Sequence, residues 1–352
     1  MATPIFLAAL SVVTLTACWT LHRIAKSPDF SWHDALWACA IVLALVLLFA
    51  VGLGENHFGV MRLACYGLFG FFPLTALCCA WELRRTARRA AISLALVCMA
   101  LECVAVDAFW IEPRWLQVAY QELASRKLTR PVRVAIIADL QTDQIGAYER
   151  SVLARVMAEE PDLILLAGDY LQEYNHRRRE ALRKKLRAIF NDLGFDAPLG
   201  SYAVGGNADL PDWPKIFVGT QIQFTEETKT YDLGELVVTA LSIEDSKATK
   251  TRVAANEKFQ IAVGHYPNYA LGPVEADLLV AGHTHGGQVQ APWLGPLMTL
   301  SLVPRSWAAG TTQLSGGRTL IVSRGIGMER GFAPRLRFLC RPQLVIVDLV
   351  PE

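Results

Sequence analysis

Four long apolar stretches near the start of the chain constrain its fold more than any other feature. They cover residues 5–21, 36–53, 63–81 and 90–110. Each is close to the ~20 residues that a helix needs to cross the hydrocarbon core of a bilayer. The first stretch lacks the basic residues that open a signal peptide, and three more stretches follow it, so we interpret it as a membrane anchor. The alternative is a buried helical core.

The basic residues between these stretches predict how the chain crosses a membrane. Arg23 and Lys26 follow the first stretch, and 82-ELRRTARR-89, with four arginines, follows the third. An excess of Lys and Arg marks cytoplasmic loops, so we expect both termini on the extracytoplasmic side. Five basic residues between positions 114 and 133 would instead favour a cytoplasmic C-terminal side. They lead into a folded domain, so they count less toward the orientation than basic residues in short loops do.

The remainder of the chain has the pattern of an α/β domain. We expect a transmembrane region at 1–112, an amphipathic connector at 113–130 that is able to lie on a membrane surface, and a globular domain at 131–352. Short apolar runs predict buried strands at 132–139, 162–169, 201–207, 236–243, 259–265, 277–283, 319–325 and 343–349. Helical patterns at 149–160 and 178–192 separate the first three runs, which gives a β-α-β-α-β opening.

Polar residues able to bind metals follow five of these strands. They are Asp139 with Gln141, Asp169, Asn207 followed by Asp209, His265, and the pair His283 and His285 in 282-GHTHGGQ-288. In open α/β sheets, ligands bind beyond the carboxyl ends of the strands, so these side chains are expected to converge. A set rich in Asp and His, without thiols, suits two divalent ions such as Mn²⁺, Fe²⁺, Mg²⁺ or Zn²⁺.

The ordered set of strand ends resembles the calcineurin-like metallophosphoesterase superfamily, and is most similar to its membrane-associated YkuE-type branch. The resemblance covers about residues 131–350 and includes the closing segment 320-LIVSRGIGMERGFAPRLRFLCRPQLVIVDL-349. It implies a two-sheet αββα sandwich, which here would follow a bundle of about four transmembrane helices. The implied activity is hydrolysis of a phosphoester or pyrophosphate bond by a metal-activated water.

The resemblance also implies which residues hold the two ions. Asp139, Gln141, Asp169 and His285 would hold the first ion, with Gln141 where the family has a histidine. Asp169 would bridge to a second ion, which Asn207, His265 and His283 complete. All of these except Gln141 are also the expected catalytic residues.

This sequence departs from the family at two positions. Gln141 offers a neutral carbonyl in place of an imidazole, and Asp143 is a further possible ligand. Ala208 stands where the family usually has a histidine that steadies the phosphate and can protonate the leaving group. Loss of a general acid typically costs ~10²–10⁴ in rate, and costs less when the leaving group has a low pKa, as a pyrophosphate does.

Four further residues are auxiliary candidates: Asp143, Asp209, His176 and Arg324. His176 could supply the missing proton donor, although a solvated loop is at least an equal interpretation. Asp209 is expected to orient a neighbour, and Arg324 either contacts phosphate or forms a structural turn.

Two functions remain open from the sequence. One is a phosphohydrolase of a bacterial inner or plasma membrane that acts on a phosphorylated substrate. Lipid-linked phosphates are among the candidate substrates, because a membrane anchor raises their local concentration. The other is a catalytically weakened relative that binds a phosphorylated ligand or acts as a sensor. The net charge of +1 argues neither for nor against a nucleic-acid partner, and no such partner is expected.

Overall fold

The structure is a computed structural model that describes residues 2–352. The chain forms two compact units. The first holds the residues up to Trp110 together with Gly331–Arg335, and the second holds Ile111–Arg330 with Leu336–Glu352.

The first unit is helical, and the sequence explains where its helices begin. Its helices are α1 (Ala2–Ile24), α2 (Trp32–Leu53), α3 (His57–Tyr66), α4 (Phe72–Leu83) and α5 (Arg88–Val106). Helix α2 begins at a Ser31 cap, where the Asp34 carboxylate accepts the Ser31 backbone N–H at 2.9 Å. Helix α3 begins after Asn56, whose side chain accepts from Gly59 N at 2.9 Å.

Four helical stretches of the chain are long and apolar enough to cross a membrane, and the last of them continues from the first unit into the second. They are Ala2–Ile24, Trp32–Leu53, His57–Leu83 and Arg88–Arg114. A π-helical turn at Gly67–Phe71 joins α3 to α4, so that the two form one span. The four predicted apolar stretches are therefore confirmed as four long apolar helical segments.

The second unit contains two six-stranded sheets. Its strands are β1 (Gln117–Ser125), β2 (Val132–Ile137), β3 (Leu163–Leu166), β4 (Ser201–Val204), β5 (Gln223–Thr225), β6 (Lys229–Asp232), β7 (Leu236–Ala240), β8 (Phe259–Val263), β9 (Leu278–Ala281), β10 (Gln290–Ala291), β11 (Gly295–Pro296), β12 (Gly310–Gln313), β13 (Thr319–Val322) and β14 (Gln343–Pro351). Strands β10 and β11 form a separate hairpin. Its helices are α6 (Ala147–Ala158), α7 (His176–Asp192) and α8 (Ile243–Lys247).

Strand order defines the two sheets. One sheet has the order β1-β14-β2-β3-β4-β5, and the other has the order β12-β13-β9-β8-β7-β6. The pairs from β2 to β5 and from β7 through β8 and β9 to β13 are parallel. The carboxyl ends of β2, β3 and β4 therefore lie at one edge of the first sheet, and those of β8 and β9 lie at one edge of the second.

The two sheets pack face to face around an apolar core. Ile136 of β2 and Leu165 of β3 share one buried cluster with Val238, Ile261 and Val280 of the other sheet. Helices α6 and α7 cover the outer face of the first sheet in a second cluster. A third cluster joins strand residues of the second sheet to residues of the loops and of a 3-10 helix beside it. The predicted two-sheet α/β sandwich that follows a helical region is confirmed.

The structure differs from the expected amphipathic connector at 113–130. Most of this segment forms β1, which pairs in parallel with β14 along its whole length, from Gln117 with Gln343 to Ser125 with Pro351. Side chains of β1 largely alternate in exposure because successive residues of a strand point to opposite faces of the sheet, and this period-2 pattern resembles an amphipathic surface segment.

Candidate metal centre

The polar strand ends converge where the two sheets present their carboxyl edges. Strands β2, β3 and β4 of the first sheet lead into Asp139, Asp169 and Asn207. Strands β8 and β9 of the second sheet lead into His265 and the 282-GHTHGGQ-288 loop.

The centre of the cluster consists of three buried residues, Asp139, Asp169 and His265. One ligand atom from each lies within 4.8 Å of the others. His265 Nδ1 is 3.8 Å from Asp139 Oδ1, and His265 Nε2 is 3.4 Å from Asp169 Oδ2. The carboxylates are also held by backbone donors, since His283 N donates to Asp139 Oδ1 at 3.0 Å and Ala208 N donates to Asp169 Oδ1 at 2.7 Å.

Two histidine rings point a nitrogen at the same oxygen. Asn207 Oδ1 lies 2.8 Å from His265 Nε2 and 2.7 Å from His283 Nδ1. The other nitrogen of each ring donates to a backbone carbonyl, from His265 Nδ1 to Ala167 O at 2.9 Å and from His283 Nε2 to Leu300 O at 3.1 Å. A carbonyl can only accept, so the single proton of each neutral ring lies on that side.

This arrangement has the donor chemistry that suits a metal ion. With both ring protons placed on the carbonyl side, two nitrogen lone pairs and one oxygen lone pair face each other. Without a cation such an arrangement is unfavourable, whereas a divalent ion accepts all three donors. The backbone carbonyls act as the outer partners that orient metal-binding histidines.

Burial explains why the rings are neutral and why the acids favour a cation. Burial lowers the pKa of His265 to about 4 and, with the neighbouring His265 ring, that of His283 to about 3. Burial raises the pKa of Asp169 to about 7, and burial with the Asp169 charge raises the pKa of Asp139 well above its usual range. Ionised carboxylates and neutral imidazoles are the forms that bind metals, so a divalent cation would compensate the burial of these groups.

Gln141 and His285 meet on the other side of the cluster. His285 Nε2 is hydrogen-bonded to Gln141 Oε1, and both side chains are buried. The Gln141 amide donates through Nε2 to Gln172 Oε1 at 3.1 Å and to Glu329 Oε2 at 3.0 Å. Because these two acceptors take the amide nitrogen, the carbonyl oxygen is turned toward His285, and it is the atom of Gln141 that could bind a metal ion in place of this hydrogen bond.

Three polar residues of this side were not predicted from the sequence. Gln172 lies in the loop after Asp169, and its Nε2 donates to Glu329 Oε1 at 2.8 Å. Arg337 is fully buried, with a guanidinium nitrogen 3.5 Å from His285 Nδ1, and it donates to the carbonyls of Arg324 and Gly325. Their positions in loops outside the strand-end pattern explain why the sequence did not indicate them.

The backbone at the centre takes conformations that are uncommon for these residue types. Five centre residues have a positive φ angle: Asp139 (50°), Gln141 (29°), Asp169 (57°), His283 (69°) and His285 (49°). Such conformations cost of order 1–3 kcal/mol each and cluster at functional sites. Neighbouring glycines allow the close packing, since a Cβ at Gly206 would collide with Asp169 Oδ1 and one at Gly282 would lie 2.7 Å from Asp139 Oδ2.

The auxiliary candidates have different surroundings. Asp209 accepts from the backbone N–H groups of Asp169 (2.8 Å), Tyr170 (2.8 Å) and Gly206 (2.9 Å), so it joins two strand ends. Asp143 lies 3.6 Å from the Arg330 guanidinium.

The other two candidates bind no ligand residue of the cluster through their side chains. The Arg324 side chain donates to Gln117 Oε1 at 2.7 Å. His176 is the exposed first residue of α7 and makes no side-chain hydrogen bond or ion pair within residues 2–352. Ala208 is buried and contributes only its backbone N–H, to Asp169.

Comparison with known proteins agrees with this geometry. A family model described as calcineurin-like phosphoesterase matches residues 132–287. The metallophosphoesterase YkuE of Bacillus subtilis is 27% identical over 217 residues, which cover 57% of this chain and 72% of YkuE. The phosphodiesterase YaeI of Escherichia coli is 25% identical over 249 residues, which cover 62% of this chain and 83% of YaeI.

A third relative extends the comparison. A metallophosphoesterase of Aquifex aeolicus is 28% identical over 204 residues, covering 54% of this chain and 74% of the relative. The region that the family model matches contains the convergent residues from Asp139 to His285 and strands β2 to β9 of the two sheets. Residues 132–287 therefore form a calcineurin-like phosphoesterase domain, a family that implies hydrolysis of phosphoesters with divalent metal ions.

Proposed function

We propose that this protein is a membrane-anchored phosphohydrolase with a two-ion centre, acting on a phosphoester or pyrophosphate bond of a lipid-linked substrate. The observation that supports it most is the convergence of three acceptors, Asn207 Oδ1, His265 Nε2 and His283 Nδ1, beside two buried carboxylates. The four long apolar helical segments of the same chain support the membrane location.

The ligands divide into two sets. The first-ion set is Asp139, Gln141, Asp169 and His285. The second-ion set is Asp169, Asn207, His265 and His283. Two divalent ions of the Mn²⁺, Fe²⁺, Mg²⁺ or Zn²⁺ type, held by these residues, would supply a hydroxide at neutral pH and would stabilise charge on the phosphoryl oxygens.

The protein's own residues hold this centre in position. Asp169 belongs to both sets, and the Ala208 and Asp209 contacts fix its carboxylate and its backbone. The carbonyls of Ala167 and Leu300 keep the ring protons of His265 and His283 away from the ligand side. Since Ala208 has no side-chain proton donor, we expect a leaving group that departs without protonation, such as the phosphate half of a pyrophosphate.

The experiment compares metal content and turnover in purified full-length protein. We expect the wild type to bind Mn²⁺ and to release nitrophenol from bis-p-nitrophenyl phosphate, and Asp169→Asn to lose both. Asp192→Asn is the matched control, because Asp192 pairs with Arg150 on the surface. Failure of the wild type to bind metal at micromolar concentration would overturn the proposal.

The second candidate function, a phospho-ligand binder or sensor without turnover, is supported by one observation. The Gln141 amide is fully hydrogen-bonded to protein groups, so this corner of the centre is satisfied without an ion. Metal binding and phosphate binding without any turnover would favour this candidate.

The location of the catalytic domain follows from the basic loops at Arg23, Lys26 and 84–89. They favour a multi-pass protein of a bacterial inner membrane, with the domain on the extracytoplasmic face. A reporter fused after Glu352 tests this orientation: a periplasm-active reporter such as alkaline phosphatase should be active there, and a fluorescent cytoplasmic reporter should be dark. The opposite pair of results would contradict the orientation.

A further inference from the structure

A loop of the phosphoesterase domain exposes an unusual number of large apolar side chains. This apolar loop comprises residues 292–302 and starts at the tip of the β10–β11 hairpin. Its exposed apolar residues are Trp293, Leu294, Leu297, Met298, Leu300 and Leu302. Trp293 is fully exposed, and Leu294 and Leu302 are each 70% exposed. Single exposed leucines are common, but a contiguous apolar patch marks an interaction surface.

The apolar loop is held in a defined conformation. Arg305 donates from Nη2 to the carbonyls of Leu294, at 3.1 Å, and Pro296. At the other end, Ser301 Oγ and Leu302 N donate to Asn268 Oδ1 at 2.7 and 3.0 Å. The apolar side chains are therefore presented outward by a braced backbone.

The apolar loop borders the metal centre directly. The Leu300 carbonyl accepts from His283 Nε2 at 3.1 Å, so the loop orients a residue of the second-ion set. The half-buried Tyr266 ring lies beside the centre, with its centroid 4.0 Å from that of His283. A molecule held by the apolar loop would thus lie next to the residues that are proposed to hold the ions.

Exposed basic residues flank the apolar loop. Lys247, Lys250 and Arg252 are exposed, and the Lys247 carbonyl accepts from Asn268 Nδ2 at 3.1 Å. Asn268 therefore joins this basic segment, residues 247–252, to the apolar loop. Lys247 Nζ also lies 5.8 Å from the centroid of the Tyr266 ring.

This combination matches the surface of an anionic bilayer better than a protein partner. Trp and Leu side chains beside Lys and Arg are typical of segments that lie in the membrane interface, where the apolar groups enter the acyl boundary and the basic groups meet anionic headgroups. The four long apolar segments of the chain tether the domain to a bilayer, which makes lipid the partner with the highest effective concentration.

We propose that the apolar loop and the basic segment 247–252 form a bilayer-contacting surface that inserts among anionic lipids and holds the metal centre at headgroup level. The inference rests on the proposed membrane location and deepens the proposed function, because it gives the route by which the phosphate of a lipid-linked substrate reaches the centre. The lipid tail stays in the bilayer while the phosphate passes beside Tyr266.

The test uses a photoreactive benzoylphenylalanine in place of Leu294 in the full-length protein. The protein is reconstituted into vesicles of radiolabelled phosphatidylglycerol and phosphatidylcholine, and irradiated. We expect a labelled lipid adduct from position 294. The matched control is the same residue in place of Val218, which is 55% exposed in the same domain, and it should give at least about fivefold less adduct.

Two results of the crosslinking experiment would overturn the proposed bilayer-contacting surface. An adduct at position 294 no stronger than at position 218 overturns it. In native membranes, an adduct at position 294 with a protein in place of lipid also overturns it and identifies a protein-docking surface. Because the adduct forms whether or not the protein turns over substrate, a failure here is distinguishable from a failure of hydrolysis, which the Asp169→Asn comparison measures.

A charge-removal variant tests the basic segment separately. In the Lys247→Gln, Lys250→Gln and Arg252→Gln triple variant, adduct formation at position 294 should fall at least about fivefold in phosphatidylglycerol vesicles, since basic groups near an anionic surface are attracted to its headgroups. Lys184→Gln with Lys185→Gln on α7 is the control and should leave the adduct unchanged. An unchanged adduct in the triple variant would remove the basic segment from the proposed surface.

Discussion

The two sides of the metal centre are held by different kinds of support. In the second-ion set, His265 and His283 are oriented by backbone carbonyls of Ala167 and Leu300. In the first-ion set, Gln141 is oriented by two side chains, Gln172 and Glu329. Backbone carbonyls are fixed by the fold, whereas side-chain partners have rotamer freedom and can be exchanged by single mutations. We therefore expect two ions of unequal affinity, with the second-ion set filling first.

The charges near the two sets of ligands also favour tighter metal binding by the second-ion set. Arg337 places a buried guanidinium 3.5 Å from His285 Nδ1, which brings a positive charge toward the first-ion set. A cation beside a metal site opposes the binding of another cation. Glu329 partly offsets it through the carboxylate that accepts from the Gln141 amide. The second-ion set has no such cation among the residues that contact its ligand atoms within the described range 2–352.

The largest expected effect comes from removing a ligand of the better-supported side. In His265→Ala, we expect metal affinity of the second-ion set to fall by more than about 100-fold, since loss of an outer partner alone costs 10–100-fold. The measurement is equilibrium dialysis of full-length protein against Mn²⁺ with metal counting. His176→Ala, an exposed histidine of the same domain, is the control. Equal metal binding in both variants would contradict the assignment of His265 to the second-ion set.

The next effect tests the side-chain support of Gln141. In Glu329→Ala, the Gln141 amide loses a charged acceptor, and we expect about 10-fold weaker binding of the first ion with the second ion unchanged. Glu275→Ala changes an exposed acid of the same domain and serves as control. If the affinity for both ions falls equally, Glu329 does not support the first-ion set alone, which contradicts the proposed difference between the two sides.

A histidine at position 141 should make the two sides more alike. In Gln141→His, an imidazole replaces a weaker carbonyl donor, and its second nitrogen can donate to Glu329, so we expect about 10-fold tighter binding of the first ion. The remaining acceptor, Gln172 Oε1, keeps the Arg330 backbone N–H at 2.7 Å as a donor. Weaker metal binding in this variant would mean that the amide is tuned to the site.

The smallest effect is a pH dependence carried by the residue that both sets share. Burial raises the pKa of Asp169 to about 7 in the metal-free chain, so proton and ion compete for this carboxylate. Raising the pH from 7 to 8 takes the ionised fraction from about half to nearly all, and affinity should rise about twofold. Affinity should fall below pH 7. Calorimetry in two buffers of different ionisation enthalpy would detect the released proton, and its absence would contradict the assignment.

The sequence predicted the interior strands of both six-stranded sheets and missed their edge strands. All eight apolar runs form strands: β2, β3, β4, β7, β8, β9, β13 and β14. The four strands of the two six-stranded sheets that were not predicted are β1, β5, β6 and β12, and these are the four edge strands. Interior strands are buried on both faces and read as continuous Val, Ile and Leu runs, whereas edge strands are partly exposed and have mixed composition.

The residues of the site also divide into those that the sequence predicted and those that it missed. Residues at strand ends could be predicted, because the carboxyl ends of parallel strands meet at one edge. Gln172, Glu329 and Arg337 could not, since each reaches the centre from a loop whose path depends on tertiary packing. The assignment of individual ligands to the two ions stays a prediction for the experiments above.

The pairing of β1 with β14 sets the order in which this domain can be completed. Strand β14 lies between β1 and β2, so the first sheet has a gap until β14 is synthesised, after every other strand of the domain. Strand β1, which directly follows the apolar helices, has no partner strand until β14 is synthesised, while the other strands of the two sheets can already pair. Long-range pairings of this kind fold slowly and leave strand edges open to wrong partners. A nascent chain of this protein should therefore depend on chaperones for longer than its α/β core alone would require.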